Sequence, residues 1–448
     1  MWMENWDKLT SAEKLQARFK EWKYPEGVKF SSPDVEGAYQ ERVQLFEDAL
    51  ELKKPKRVPL HLHTGFYPVA YAGFTPEEAM YDYEKLGIAM KKFNADFMPD
   101  SLASSMLPGP AKAFDLLDMK LYRWPTHGVD STAPFQCVEA EYMRADEYDL
   151  LIADPTNFFL RHYFPRIFGN VAAWQKLPAM TDMTEWPLIA GALASLGNPA
   201  VQEAFDKFLQ AARAAFEWVK QCGAINAASV HALGLVPMMS GFSKAPFDTL
   251  GDTLRGTRGI MLDKFHHPEK ILKAVEQLVP SAVEMAVRAA NNVRKPIVTI
   301  PLHKGADGFM SEKDFKTYYW PTLKKTILGI VNEGVIPLLF VEGSYNSRLD
   351  IIVDSEIPKG TTLWMFDKSD MKRVKEKFKG WACVGGNVPV SLLATGTPDQ
   401  VKDYVKRLID DAAQDGGFIL STGAVLDDAR AENLHAMLDT GREYGVYR

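Results

Sequence analysis

Short apolar runs rich in β-branched residues recur along the chain. Each is reached from a segment whose apolar positions have helical spacing, and each is followed by a polar or Gly/Pro-rich break. Eight such runs are expected to be strands: residues 58–63, 95–100, 224–230, 297–303, 335–342, 362–367, 382–387 and 417–422. Near-continuous apolar strands separated by helices indicate a parallel sheet covered on both faces, and eight strand–helix units close a single (β/α)8 TIM barrel of the α/β class. Helix starts support the alternation. Thr75-Pro76-Glu77-Glu78 and Thr397-Pro398-Asp399-Gln400 each combine an N-cap Thr, a Pro at the first helical position and a capping-box Glu or Gln.

Two regions exceed a minimal barrel. Residues 1–55 read as an N-terminal helical extension, and the barrel itself occupies 56–448. About 105–215 forms an insertion after the second strand, with aromatics that include Trp124, Phe135, Phe158, Trp174 and Trp186. An insertion there is expected either to wall the catalytic face or to pack on the barrel's outside.

Composition narrows the partners. With 46% apolar and 25% charged residues the chain has the make-up of an ordinary globular protein, and a net charge of −6 gives no basic field for nucleic acid. The first residues lack the apolar core of a secretory signal, and no apolar run approaches the roughly 20 residues that span a bilayer, so a cytoplasmic protein without membrane contact is expected. The three cysteines, Cys137, Cys222 and Cys383, form no CxxC pair, which leaves His, Asp and Glu to hold any metal.

Every expected strand ends in or beside a polar side chain: His61 and His63, Asp100, His231, His303, Glu342, Asp367, Asn387, then Ser421 and Thr422. In a (β/α)8 barrel the C-terminal rim of the strands carries the catalytic groups. Asn387 and Ser421 also suit turn formation. One of His61 and His63, and not both, is expected to line the site. His303, Glu342 and Asp367 end successive strands and would form either an N/O ligand set for zinc or a hydrogen-bonded polar floor.

These residues carry a likeness to the uroporphyrinogen decarboxylase superfamily, which includes that decarboxylase and the zinc-dependent, corrinoid-linked methyltransferases. Ala245-Pro246-Phe247-Asp248-Thr249-Leu250-Gly251-Asp252 resembles its APFTL-type segment. Gly386-Asn387-Val388-Pro389 with Gly396-Thr397-Pro398, and the ending Gly417-Phe418-Ile419-Leu420 followed by Glu432-Asn433-Leu434, resemble two further segments. The chain departs from the decarboxylase where Leu62-His63-Thr64-Gly65-Phe66-Tyr67 replaces the arginine-bearing first-strand segment, so a porphyrinogen, whose carboxylates need cationic partners, is not the expected substrate. It also lacks the cysteines of the thiolate-zinc methyltransferases, with Phe340-Val341-Glu342-Gly343 and Ala424 at those positions.

The segment 342–349 with Phe366-Asp367 looks most like the O-demethylase methyltransferase branch. That resemblance implies a small methoxylated, aromatic substrate, zinc at Glu342, His303 and Asp367, and a methyl acceptor in cobalamin carried by a separate corrinoid protein. A proton would come from Asp100 or His63, with Asp252 as a further catalytic carboxylate. Tyr67, Phe97 and Trp364 would stack on the ring, and His61, His231 and Asn387 would complete substrate binding. A homodimer is open. The alternative is a metal-free decarboxylase or lyase acting on a small acid through Asp100 and Asp252. A barrel kept only for binding is disfavoured by so many ionisable groups in one pocket.

Overall fold

The computed structural model describes residues 5–447. Six parallel strands lie side by side in chain order: β1 (Met239–Phe242), β2 (Ile297–Leu302), β3 (Ile336–Val341), β4 (Leu363–Phe366), β5 (Cys383–Val388) and β6 (Phe418–Thr422). Residues 58–63 and 99–103 complete the ring. Leu60 pairs in parallel with Leu420 of β6, Asp100 and Ser101 donate their N–H groups to Leu60 O, and Ser101 pairs in parallel with Val236, just ahead of β1. The result is a (β/α)8 barrel. Closure leaves no strand edge unpaired, which is why such short strands persist.

Alternation sorts the side chains. Ile336, Leu338 and Phe340 of β3 face the lumen with Leu363, Met365, Cys383 and Ile419, while Leu339, Val341, Trp364 and Phe366 pack outward against the helix layer. The lumen cluster continues into the N-terminal extension. Helices α1 (Ser11–Lys23) and α2 (Pro33–Leu50) place Phe19, Trp22, Val43 and Phe46 against the lumen residues, closing the end where the strands begin. The opposite end is left for chemistry.

Two expected strands shift. Residues 95–100 begin inside helix α3 (Tyr83–Phe97), which stops at Met98 in the left-handed conformation, so the strand starts only at about Asp100. Residues 224–230 are wholly helical. They lie in α5 (Pro199–Leu233), the 35-residue helix that ends at Gly234 in the left-handed region. Ala-Ile-Asn-Ala-Ala-Ser-Val is apolar but Ala-rich, and it continues the buried stripe of Ala211, Trp218, Cys222 and Ser229, so helical phase prevails over the short-run reading. The third strand is 235–242 instead, where Pro237 and Gly241 break the apolar run.

The capping boxes form at Thr75 with Glu78 and at Thr397 with Gln400. The insertion divides. Trp174, with Phe205 and Phe208, builds a separate core against α5, whereas the small sheet Tyr122–Pro125, Gly128–Val129 and Gln136–Cys137 reaches the barrel rim. No helix among the described residues is long and apolar enough to cross a membrane.

Candidate active site

The chain gathers charge where β1 to β4 end. Beyond β1, residues 246–254 turn helically and present Asp248 and Asp252. His303 and Lys304 follow β2, Glu342 follows β3, and Asp367 follows β4. His303 Nδ1–H donates to Asp252 Oδ2 over 2.6 Å, and its Nε2 lies 3.5 Å from Glu342 Oε1. Lys244 and Lys304 approach the two oxygens of Asp252 at 3.1 and 3.3 Å.

Beneath this layer Asp248 is fully buried and accepts three hydrogen bonds, from the N–H of His303 (3.1 Å), the N–H of Lys304 (2.9 Å) and the hydroxyl of Tyr319 (2.7 Å). It ties the turn carrying His303 to the core. Gly305 permits this packing, because a Cβ there would stand 2.5 Å from Tyr345 Oη and 2.9 Å from the Tyr319 ring.

The electrostatics follow. Burial by itself opposes protonation of His303, but its hydrogen bonds to Asp252 and Glu342 and the nearby Asp248 charge outweigh burial and carry its pKa up to about 10. Burial opposes ionisation of Asp252 as well. The His303 hydrogen bond and the two lysines prevail and hold it below the usual carboxylate range. Asp248 moves the other way, raised by burial and by the charge of Asp252. One carboxylate is therefore kept ionised beside an imidazolium, and a second is pushed toward its neutral form, a separation of proton affinities that marks acid–base sites.

The insertion covers part of this mouth. Glu139 accepts a hydrogen bond from Thr257 N and lies 3.5 Å from Lys304 Nζ. Phe135, partly exposed, stands against Phe66 and Tyr122 with ring centroids 6.2 and 5.7 Å apart. Burial, with the charges of Cys137 and Asp252 added, raises the proton affinity of the Tyr122 hydroxyl.

Several expected residues lie elsewhere. Asp100 sits at the start of its strand, on the closed end, where Arg57 holds both its oxygens at 2.6 Å and Leu60 N–H donates to it. His231 is exposed in the last turn of α5, where its Nδ1 bonds Lys29 O. Tyr67 and Phe97 pack with Phe93 and Tyr71, and Trp364 packs with Phe378 and Trp381, all in the outer layer rather than the lumen. Asn387 has its amide committed, donating to Asp367 O and Ser369 O and accepting from Tyr404, so it braces the β4 and β5 loops.

His61 and His63 both face the lumen, since residues two apart on a strand share a face; their centroids are 4.4 Å apart. Burial lowers the pKa of both, of His63 to about 4, and His63 lies against Phe340, one lumen layer below Glu342. A neutral, buried imidazole below the rim is no proton donor to a substrate there.

Glu342 and His303 come together, but Asp367 does not join them. Its carboxylate accepts from Gly343 N–H at 3.1 Å, and among the described residues no three His, Cys, Asp or Glu side chains gather as a metal-ligand set. The residues therefore do not fit a zinc ion held by His303, Glu342 and Asp367. Sequence reasoning missed Lys244, Lys304, Asp248 and Tyr319. Lys304 adjoins His303 and Asp248 lies in the Ala245–Asp252 segment, but neither ends a strand.

The barrel thus gathers Asp252 and Glu342 around His303 at the rim beyond its third to fifth strands. The chain matches the uroporphyrinogen decarboxylase (URO-D) family model over residues 198–444, more than half its length, and belongs to that family. Among solved structures it is similar in fold to a methyltransferase from Methanosarcina mazei, at 14% identity and a TM-score of 0.58, over 89% of this chain and 98% of that one. Curated proteins yield no match.

Proposed function

We propose that this protein is a methyltransferase that takes the methyl group of a small methoxylated aromatic compound and passes it to the reduced cobalt of a separate corrinoid protein. The observation that carries the reading is His303, held as an imidazolium between Asp252 and Glu342 at the open end of the barrel. Breaking a methyl–oxygen bond leaves an alkoxide or phenolate that needs a proton. A cationic donor fixed where that charge develops supplies the proton and stabilises the departing oxygen.

His303 matches that requirement. With a substrate oxygen hydrogen-bonded to Nε2 in place of Glu342, the Nε2 proton would pass to the departing oxygen as the methyl group leaves for the cobalt of the corrinoid protein, giving a phenol and a methylated corrinoid. Asp252 steadies the imidazolium before transfer and keeps the ring oriented after it. Phe135, with Phe66 and Tyr122 behind it, offers the substrate ring a face in place of Tyr67, Phe97 and Trp364. Family membership, the likeness in fold to a methyltransferase and the segment 342–349 support the same reading.

A second reading is favoured by Lys244 and Lys304, which could hold a carboxylate: release of carbon dioxide from a small acid, with His303 protonating the resulting carbanion. The test mixes purified protein, methoxylated aromatics and a reduced corrinoid protein, and follows the methylcobalamin absorbance. Methyl transfer that requires the corrinoid protein and is lost in His303→Gln supports the proposal. Demethylation without that partner, or carbon dioxide release from an unmethylated acid, overturns it.

A further inference from the structure

The insertion carries an apolar surface that the barrel does not cover. Helix α4 (Trp186–Leu196) contains no charged residue, and of its eleven residues only Ala192 is buried. Trp186 is 89% exposed, and Leu188 and Leu193 are each more than half exposed. The chain then turns at Gly197-Asn198 into α5, whose solvent face carries Leu209, Ala212, Phe216 and Val219, with Phe216 72% exposed. The spacing of three, four and three along α5 is that of a packing seam. Its opposite face is already used, since Val201, Ala204 and Ala211 are buried in the insertion's core.

We propose that α4 and the exposed stripe of α5 form the interface at which two copies of this chain pair, the α4 arm of each lying on the α5 stripe of the other. Three observations select a second copy. First, Trp186, Leu188, Leu193, Leu209, Phe216 and Val219 expose on the order of 700 Å² of apolar surface, close to the roughly 800 Å² each partner of a stable interface covers. Second, an uncharged arm and an apolar stripe on the same chain satisfy each other reciprocally under a two-fold axis, which needs no partner of complementary charge. Third, eleven residues of helix span about 16 Å, half the hydrocarbon core of a bilayer, and the stripe is flanked by Glu217 as well as by Arg213 and Lys220, unlike a basic face that lies on anionic lipid.

Sedimentation equilibrium of the full chain over a wide range of micromolar concentrations tests the pairing. The expected result is a mass twice that of one chain, with Trp186→Glu and Phe216→Glu each weakening association at least about 100-fold. Phe265→Glu, which alters a comparably exposed aromatic outside α4 and α5, leaves it unchanged. Hydrogen exchange on the unaltered protein gives an independent readout, with protection of residues 186–196 and 209–219 falling on dilution. A wild-type monomer, or a dimer that survives both insertion substitutions with no loss of protection on dilution, overturns the proposal. Co-sedimentation with phosphatidylcholine–phosphatidylglycerol vesicles without self-association also overturns it and assigns the surface to lipid.

Discussion

His303 and Asp252 share a 2.6 Å hydrogen bond although one follows β2 and the other lies 51 residues earlier, in the turn after β1. The pair depends on Asp248, which accepts the N–H of both His303 and Lys304 and so presents the imidazole to Asp252. Charge and backbone are set by two carboxylates four residues apart.

Replacing Asp252 by Asn keeps the shape and removes the charge. The His303 pKa, followed by imidazole NMR, is expected to fall by at least one unit, and turnover at neutral pH to fall about 100-fold or more, in line with general-acid contributions. An unchanged His303 titration would show that Asp252 does not hold the proton.

The pH dependence has a defined sign. The folded-state pKa of His303 is raised from 6.5 to about 10, so its contribution to stability is full below pH 6.5 and is lost as pH rises through about 10. That of Asp252 is depressed, so its contribution is full above the ordinary value of 3.8 and is lost as pH falls below it. The Tm difference between wild type and His303→Gln should be largest between about pH 4 and 6.5 and should shrink toward pH 10. The same titration predicts that activity declines on the alkaline side near pH 10, measured as kcat/KM.

Asp100→Ala should act on stability alone. It strands Arg57 and Arg42 at the closed end of the barrel, and removing one partner of a buried pair costs about 3 kcal/mol, readable by urea denaturation. Turnover per folded molecule is expected to stay within about twofold of wild type, since the site lies at the other end. A selective fall in kcat would return Asp100 to the reaction.

Gly305→Ala drives a methyl group against the buried Tyr345 and Tyr319. The expected cost is about 1 to 3 kcal/mol, as for overpacking of a filled core. Displacing Tyr319 also disturbs its bond to Asp248, so the His303 pKa should shift together with Tm.

Periodicity made the barrel legible. Six of the eight expected strands fall where β2 to β6 and the segment at 58–63 lie, because buried parallel strands are apolar on both faces and stand out from amphipathic helices. The run at 224–230 misled because an alanine-rich stretch has no period of its own, and only its phase with Trp218 and Cys222 makes it helical. The polar ends at His303 and Glu342 were legible for the same reason as the strands. Trp364 and Asn387 show the limit of that reading: one residue of register sends Trp364 outward, and Asn387 has its amide taken by the loop after β4 and by Tyr404 of the helix 398–412.

The sequence by itself determined the alternation of strands and helices, and hence the barrel and the rim on which polar groups collect. Tertiary structure alone decided which of them meet. Asp252 reaches His303 through a turn that Asp248 and Tyr319 hold from below, and Asp100 is carried to the opposite end because α3 runs on to Phe97 before its strand begins. Local patterns record which face a side chain occupies, but the approach of one element to another is set by packing between segments far apart in the chain.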